Sequence, residues 1–277
     1  MNAAAVDVSP LDWPFHVLST FGYLMPRLLM MFSMIPMLTR QALPGMLRTG
    51  FVAGVAVFLV PTLLEQVATV ERGVVEVIFV IIKESLVGMV LGLLVAIPLW
   101  AFEAMGALVD NQRGASIAQI INPMTGHDSS PLGELFSQAA ITYLLVSGGL
   151  LGMLGVAYSS YELWPVFDAW PKLNDKAPLL LLGELDRLTH LAVLMGAPVM
   201  IAMFLAEMGL GLVSRFAPQL QVFFLAMPVK SGIAMFVFAV YAVTMFHHGG
   251  ADLLDARRAL TVFGEMTVQK PTTEKPR

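Results

Sequence analysis

The chain has 277 residues, 57% hydrophobic and only 13% charged, with a net charge of −4 and no cysteine. Soluble domains carry about 25% charged residues, so the composition argues against a soluble enzyme, and the lack of any basic block argues against a nucleic-acid partner. Without cysteine there is no disulfide, no thiolate-held metal and no thiol nucleophile.

Six apolar segments follow one another, at about 13–38, 49–64, 74–104, 131–158, 178–213 and 219–246. Most approach or exceed the roughly 20 residues that cross a hydrocarbon core. They read as helices, because a segment facing lipid must satisfy its own backbone hydrogen bonds, and the alternation of a membrane β-barrel is absent. The expected fold class is therefore an all-α membrane protein with about six hydrophobic helical segments. No Lys or Arg precedes Arg27. The basic start of a cleavable signal peptide is thus missing, and the first segment is expected to be retained.

The first segment contains Pro26, Arg27 and Pro36, and clusters Met30, Met31, Met34 and Met37. The third holds Lys83 and Glu84 near its middle and Pro98 further on, with Gly88 and Gly92 four apart. Gly148 and Gly152 repeat that spacing in the fourth, and both pairs suit close helix packing. The stretch 159–177 carries Tyr161, Trp164 and Trp170, residue types of a membrane–water interface. The fifth segment holds Glu184, Asp186, Arg187, His190, Pro198 and Glu207, and the sixth Pro228 and Lys230. Proline kinks or breaks helices, so several segments are expected to be kinked or broken hairpins. Charges inside a membrane are costly unless they face protein or water. Arg27, Lys83, Glu84, Asp186, Arg187 and Glu207 are accordingly expected at subunit contacts. Adjacent Lys83 and Glu84 point about 100° apart on a helix and need not pair with each other. Asp186 and His190 share a face at i, i+4, as an interface cluster or as a proton relay.

Basic residues set orientation. Arg40 and Arg48, and Arg257, Arg258, Lys270, Lys275 and Arg277, place the second loop and the C-terminus in the cytoplasm; Asp7 and Asp12 place the N-terminus outside. That orientation needs an odd number of crossings against six segments, so one segment does not cross or one is a helical hairpin. Residues 1–260 read as a single membrane domain, and the polar stretch 261–277 as a disordered tail.

No HExxH, GxSxG, Walker or GxGxxG motif occurs. His247 and His248 are adjacent and lie on different helix faces, and His127 lacks companions at metal-ligand spacing. No catalytic residue, metal site or cofactor is expected, and the chain does not read as an enzyme.

Residues 109–133 read VDNQRGASIAQIINPMTGHDSSPLG. The pattern predicts a helix continuing through 121, stopped at Asn122-Pro123, with Arg113 on an otherwise apolar stripe. A turn follows, and then a new helix with Ser130 as N-cap, Pro131 in the first position and Glu134 near the N-terminus. This block resembles the central motif of the T-subunit family of the type III secretion export apparatus (the SctT/FliR family). A second block, RFAPQLQVFFLAMPVKSGIAMF at 215–236, resembles that family's late motif, with Arg215, Pro218, Gln219, Val222, Phe223, Pro228 and Lys230 at matching places. RLLMMFSMIPML at 27–38 fits as well. The resemblance spans about residues 10–260. Its wording is closer to virulence-type members than to flagellar ones, whose late motif usually has Asn where this chain has Gln221.

The resemblance implies a non-catalytic structural subunit of a protein-export gate, packed with R and S subunits in a helical assembly of the bacterial inner membrane. A U switch protein and a V export protein would stand nearby, and unfolded proteins would pass through the pore. It further implies that the stretch after the central motif reaches toward that pore and helps close it. The gate candidates are Gly106, Asp110, Gln112, Arg113, Gly114, Asn122, Pro123 and Met124, and the late-motif residues are candidates for subunit packing. The competing reading is a stand-alone multi-pass transporter, which would show paired interrupted segments in two related halves; no such internal symmetry is visible.

Overall fold

A computed structural model of the chain describes residues 13–38, 44–69, 72–114, 130–168, 173–216 and 222–267. Among these the helices are α1 (Trp13–Met34), α2 (Gly45–Val57), α3 (Val60–Thr69), α4 (Val74–Arg113), α5 (Pro131–Val146), α6 (Gly149–Leu163), α7 (Ala177–Phe216), α8 (Val222–Leu254) and α9 (Arg257–Met266), with a 3-10 turn at Pro36–Leu38. An isolated antiparallel bridge joins Leu173 to Thr267. The chain is an all-α membrane protein. Helices α1, α4, α7 and the Leu225–Leu254 part of α8 are long and apolar enough to cross a membrane, and two bent pairs, α2–α3 and α5–α6, raise the number of candidate spans to as many as six.

The bends do not fall where the intrahelical prolines predict. Pro26, Pro98, Pro198 and Pro228 all sit inside continuous helices. The sharp breaks are instead 78° between α2 and α3 and 79° between α5 and α6. At the first break Pro61 has no N–H to offer the carbonyl of Val57, so the ladder stops and a new helix begins. At the second, Gly148 takes a positive φ of 77°, which glycine adopts without steric penalty. Gly148 therefore makes a turn, not the helix contact its spacing to Gly152 suggests.

Two compact units divide the chain: residues 1–96, 150–181 and 256–277 form the first, and 97–149 and 182–255 the second. In the first unit α1 packs on α2 and α3, burying Leu24, Leu28, Met31, Phe32, Val52 and Ala56. Phe32 and Phe51 meet edge-to-face with centroids 5.4 Å apart, a favoured aromatic geometry. Gly88 and Gly92 let α4 press directly on α1. A Cβ at Gly88 would strike the Arg27 backbone, and one at Gly92 would lie 2.5 Å from the Met31 carbonyl oxygen. The close approach expected from that glycine pair is present. Helix α9 buries Ala259, Val262, Phe263 and Met266. Residues 268–277 lie outside the described ones.

In the second unit the later half of α4 meets α5, α7 and α8. Phe102 stacks on Phe246 at 5.3 Å, and Phe136 meets Phe238 at 4.6 Å. Gly106 lies against the backbone of Leu132 and Gly133, where a Cβ would come within 2.6 Å of the Leu132 carbonyl carbon. Large apolar side chains stay exposed, among them Ile78 and Ile82 on α4, Ile201, Phe204 and Leu205 on α7, and Phe236 and Val240 on α8. Exposed apolar area on this scale belongs against lipid or another protein.

Candidate functional site

Helix α4 ends at Arg113, not at 121 as the pattern of the central block suggests. Gly114 adopts φ 84°, and its N–H donates to the Asn111 carbonyl at 3.2 Å. This is a left-handed glycine cap, which satisfies a carbonyl left over at the helix end. Asn122, Pro123 and Met124 lie outside the described residues, so five of the gate candidates, Gly106, Asp110, Gln112, Arg113 and Gly114, can be placed.

Asp110 is nearly fully buried and ties the end of α4 to the start of α5. Its Oδ2 accepts the Ser130 hydroxyl at 2.5 Å and the Leu132 N–H at 2.9 Å. Ser130 Oγ in turn accepts from the Gly133 N–H at 2.9 Å, so Ser130 is the N-cap expected from its place before Pro131. A carboxylate at a helix N-terminus also gains from the helix dipole. Arg113 Nε stands 2.6 Å from Asp110 Oδ1, at an angle outside hydrogen-bond geometry, and neutralises the carboxylate. Gly106, one turn before Asp110, is the residue that lets α5 come this close.

Gln112 faces the other neighbours. Its Nε2 donates to the Met200 carbonyl of α7 at 3.0 Å, and its own carbonyl accepts from Lys230 Nζ of α8 at 2.9 Å. Lys230 also lies 3.3 Å from Glu207 Oε2. The central and late motifs, 118 residues apart, therefore meet through Gln112 and Lys230. Of the other late-motif residues, few can be placed. Arg215 and Pro228 are exposed, Pro218 and Gln219 lie outside the described residues, and Val222 and Phe223 open α8.

The remaining intramembrane charges fall into two groups. Arg27 and Glu84 form a two-pronged ion pair with no exposure: Nε to Oε2 at 2.6 Å and Nη2 to Oε1 at 2.9 Å. Arg27 also donates to the carbonyls of Ser160 (2.8 Å) and Trp164 (2.9 Å) at the end of α6, and its guanidinium lies 4.2 Å from the Tyr161 ring centroid. Lys83 donates to the carbonyls of Val166 (2.5 Å) and Asp168 (3.0 Å) and stands 3.2 Å from Glu84. Adjacent Lys83 and Glu84 do meet after all, because both bend into one cluster around Arg27. The two cations exceed the single carboxylate, and carbonyl oxygens at and beyond the α6 C-terminus, the negative end of its dipole, face the surplus charge. Enclosed by their own chain, these three side chains have no surface to offer another subunit. Arg187 instead bridges Glu184 (3.3 Å) and Asp252 (2.5 Å) at a half-buried position, and Asp186 is exposed. The partners Ser130, Ser160 and Asp252 carry no local sequence signal for these roles, since each lies 20 or more residues from the charge it meets.

These observations define a multi-pass helical membrane protein whose two motif blocks meet in a half-buried polar junction. The chain belongs to the bacterial export proteins, family 1, whose pattern it matches over residues 18–255. It is similar to the Yop proteins translocation protein T of Yersinia pestis, 37% identical over 238 residues that cover 86% of this chain and 91% of that one. It is 32% identical to the surface presentation of antigens protein SpaR of Salmonella typhimurium, over 82% of this chain and 84% of the relative. Against the flagellar biosynthetic protein FliR of Bacillus subtilis the identity is 29%, over 79% and 85%. The virulence-type wording of the motifs agrees with this order.

Proposed function

We propose that this chain is a structural subunit of a type III protein-export gate in the bacterial inner membrane, helping to form and close the pore through which unfolded proteins leave the cell. The observation that carries the reading is the family match across residues 18–255, with relatives named for translocation, secretion and flagellar biosynthesis. Its partners are R and S subunits in a hetero-oligomeric complex, with the U switch protein and the V export protein alongside. The uncovered apolar faces of α4, α7 and α8 give such neighbours a surface to pack on. The N-terminus lies outside and the C-terminus in the cytoplasm.

Within this reading the end of α4, Asp110 to Gly114, borders the passage. Asp110 staples it to α5, and Gln112 ties it to α7 and α8. A polar junction held by side-chain hydrogen bonds can part and reform as a polypeptide enters, whereas an interlocked apolar core resists such movement. Gly114→Arg tests this directly, since it adds bulk and charge at a backbone angle that side chains avoid. Membranes carrying the assembled variant should leak ions. Normal assembly with a leak no greater than wild type would remove this residue from the closing element.

A further inference from the structure

The last carbonyls of a helix have no donor within it, and α4 solves this in two ways. Asn111 O is met by the Gly114 N–H at its own helix end. Gln112 O is met by a side chain from far away, the Lys230 ammonium of α8. A cation at a helix C-terminus is favoured by the dipole as well as by the hydrogen bond. Lys230 is itself nearly enclosed, with a side-chain exposure of 10%, while Glu207, 3.3 Å away on α7, is 53% exposed. The ammonium thus stands between two acceptors. One belongs to the helix end and the other does not.

That arrangement has a mechanical consequence. A buried ammonium stripped of its only partner is strongly destabilising, so a single-acceptor contact would resist any movement of the helix end. With Glu207 in reach, the α4 end can leave while the charge keeps a partner. We propose that Lys230 is a positioning residue that latches the end of α4, and that Glu207 is the acceptor that retains its ammonium when the latch releases. This rests on the export-gate reading, and it adds a residue pair that sets how readily the element moves.

The chain has no cysteine, so Val109→Cys places its one thiol at a fully buried position near the end of α4, reachable only when that helix end moves. The test measures the maleimide labelling rate of that cysteine in the assembled complex, together with ion leak and secretion. Lys230→Met should speed labelling about tenfold or more, the effect of losing a charge-assisted hydrogen bond, and Lys230→Arg should restore the slow rate. Glu207→Gln should act in the opposite direction, slowing labelling and reducing secretion, because the helix-end carbonyl then holds the ammonium with less competition. A purely structural role would move both variants the same way, and that result overturns the proposal, as does an unchanged rate in Lys230→Met. If Lys230→Met fails to assemble, Glu207→Gln decides: slower labelling supports the latch, and unchanged or faster labelling overturns it. Opposite labelling shifts without any change in leak or secretion would uphold the latch and count against the gate reading. A leak in Gly114→Arg with no labelling shift in either latch variant would do the reverse.

Discussion

Arg27 is the side chain whose removal the molecule should tolerate least. Its guanidinium is unexposed and bonds one carboxylate and two main-chain carbonyls. Arg27→Ala leaves Glu84 buried beside Lys83 alone and strips donors from the end of α6, a loss of about 3–5 kcal/mol. Thermal unfolding of the detergent-purified protein should show a markedly lower midpoint. A double change of Arg27 and Glu84 to apolar residues of similar volume should recover much of the loss, since replacing a whole buried pair is often near neutral; a double variant as unstable as the single one would contradict that view. Ser130→Ala removes the α5 cap and should lower stability by about 1 kcal/mol. Asp110→Ala should do more, because it releases the Ser130 hydroxyl, the Leu132 N–H and Arg113 together. The presence of these charges was readable in the sequence, but their partners were not. Arg27 and Glu84 are 57 residues apart and Lys230 and Gln112 are 118 apart, and no periodicity connects such positions.

Among the helices, the apolar segments were legible nearly to their ends because burial in lipid demands long uninterrupted runs. Their breaks were not. A proline inside a membrane helix can be accommodated when neighbours satisfy the freed carbonyl, and α1, α4, α7 and α8 all continue through one. Pro61 interrupts a helix where Pro98 does not, although both stand in apolar surroundings. The Ser130 cap was legible because it depends on residues within one turn. The end of α4 was misjudged because Gly114 reads equally as one of a run of small residues or as a left-handed stop. The α1–α4 contact gives a clear prediction at this scale. Gly92→Leu forces a side chain into the Met31 backbone, and neither helix can yield without losing the Gly88 contact as well. The variant should fail to accumulate as folded protein in the membrane, measured by protease resistance; a protease-resistant Gly92→Leu protein at wild-type level would show that α1 and α4 are not held by this seam.

At the scale of the whole molecule, α4 and α7 each have 40 residues, about 60 Å of helix, or twice the roughly 30 Å hydrocarbon core. Helices of this length with uncovered apolar faces suit a chain that packs against other subunits over much of its surface. The chain should therefore behave poorly alone and co-purify with small hydrophobic R and S subunits in a large complex; a stable, monodisperse monomer that binds a solute by itself would favour the transporter reading instead. Family membership was legible from the two motif blocks, whereas the meeting of those blocks at Gln112 and Lys230 needed the fold. The most direct measurement of the central claim is a cross-link made during export. A photo-reactive amino acid at Asn111, beside the Asp110–Gly114 element, is activated in cells whose secretion channel is stalled on a partly exported protein. The account predicts a covalent adduct between this chain and the stalled polypeptide, lost when export is not under way. Active secretion with no adduct at this position would contradict it.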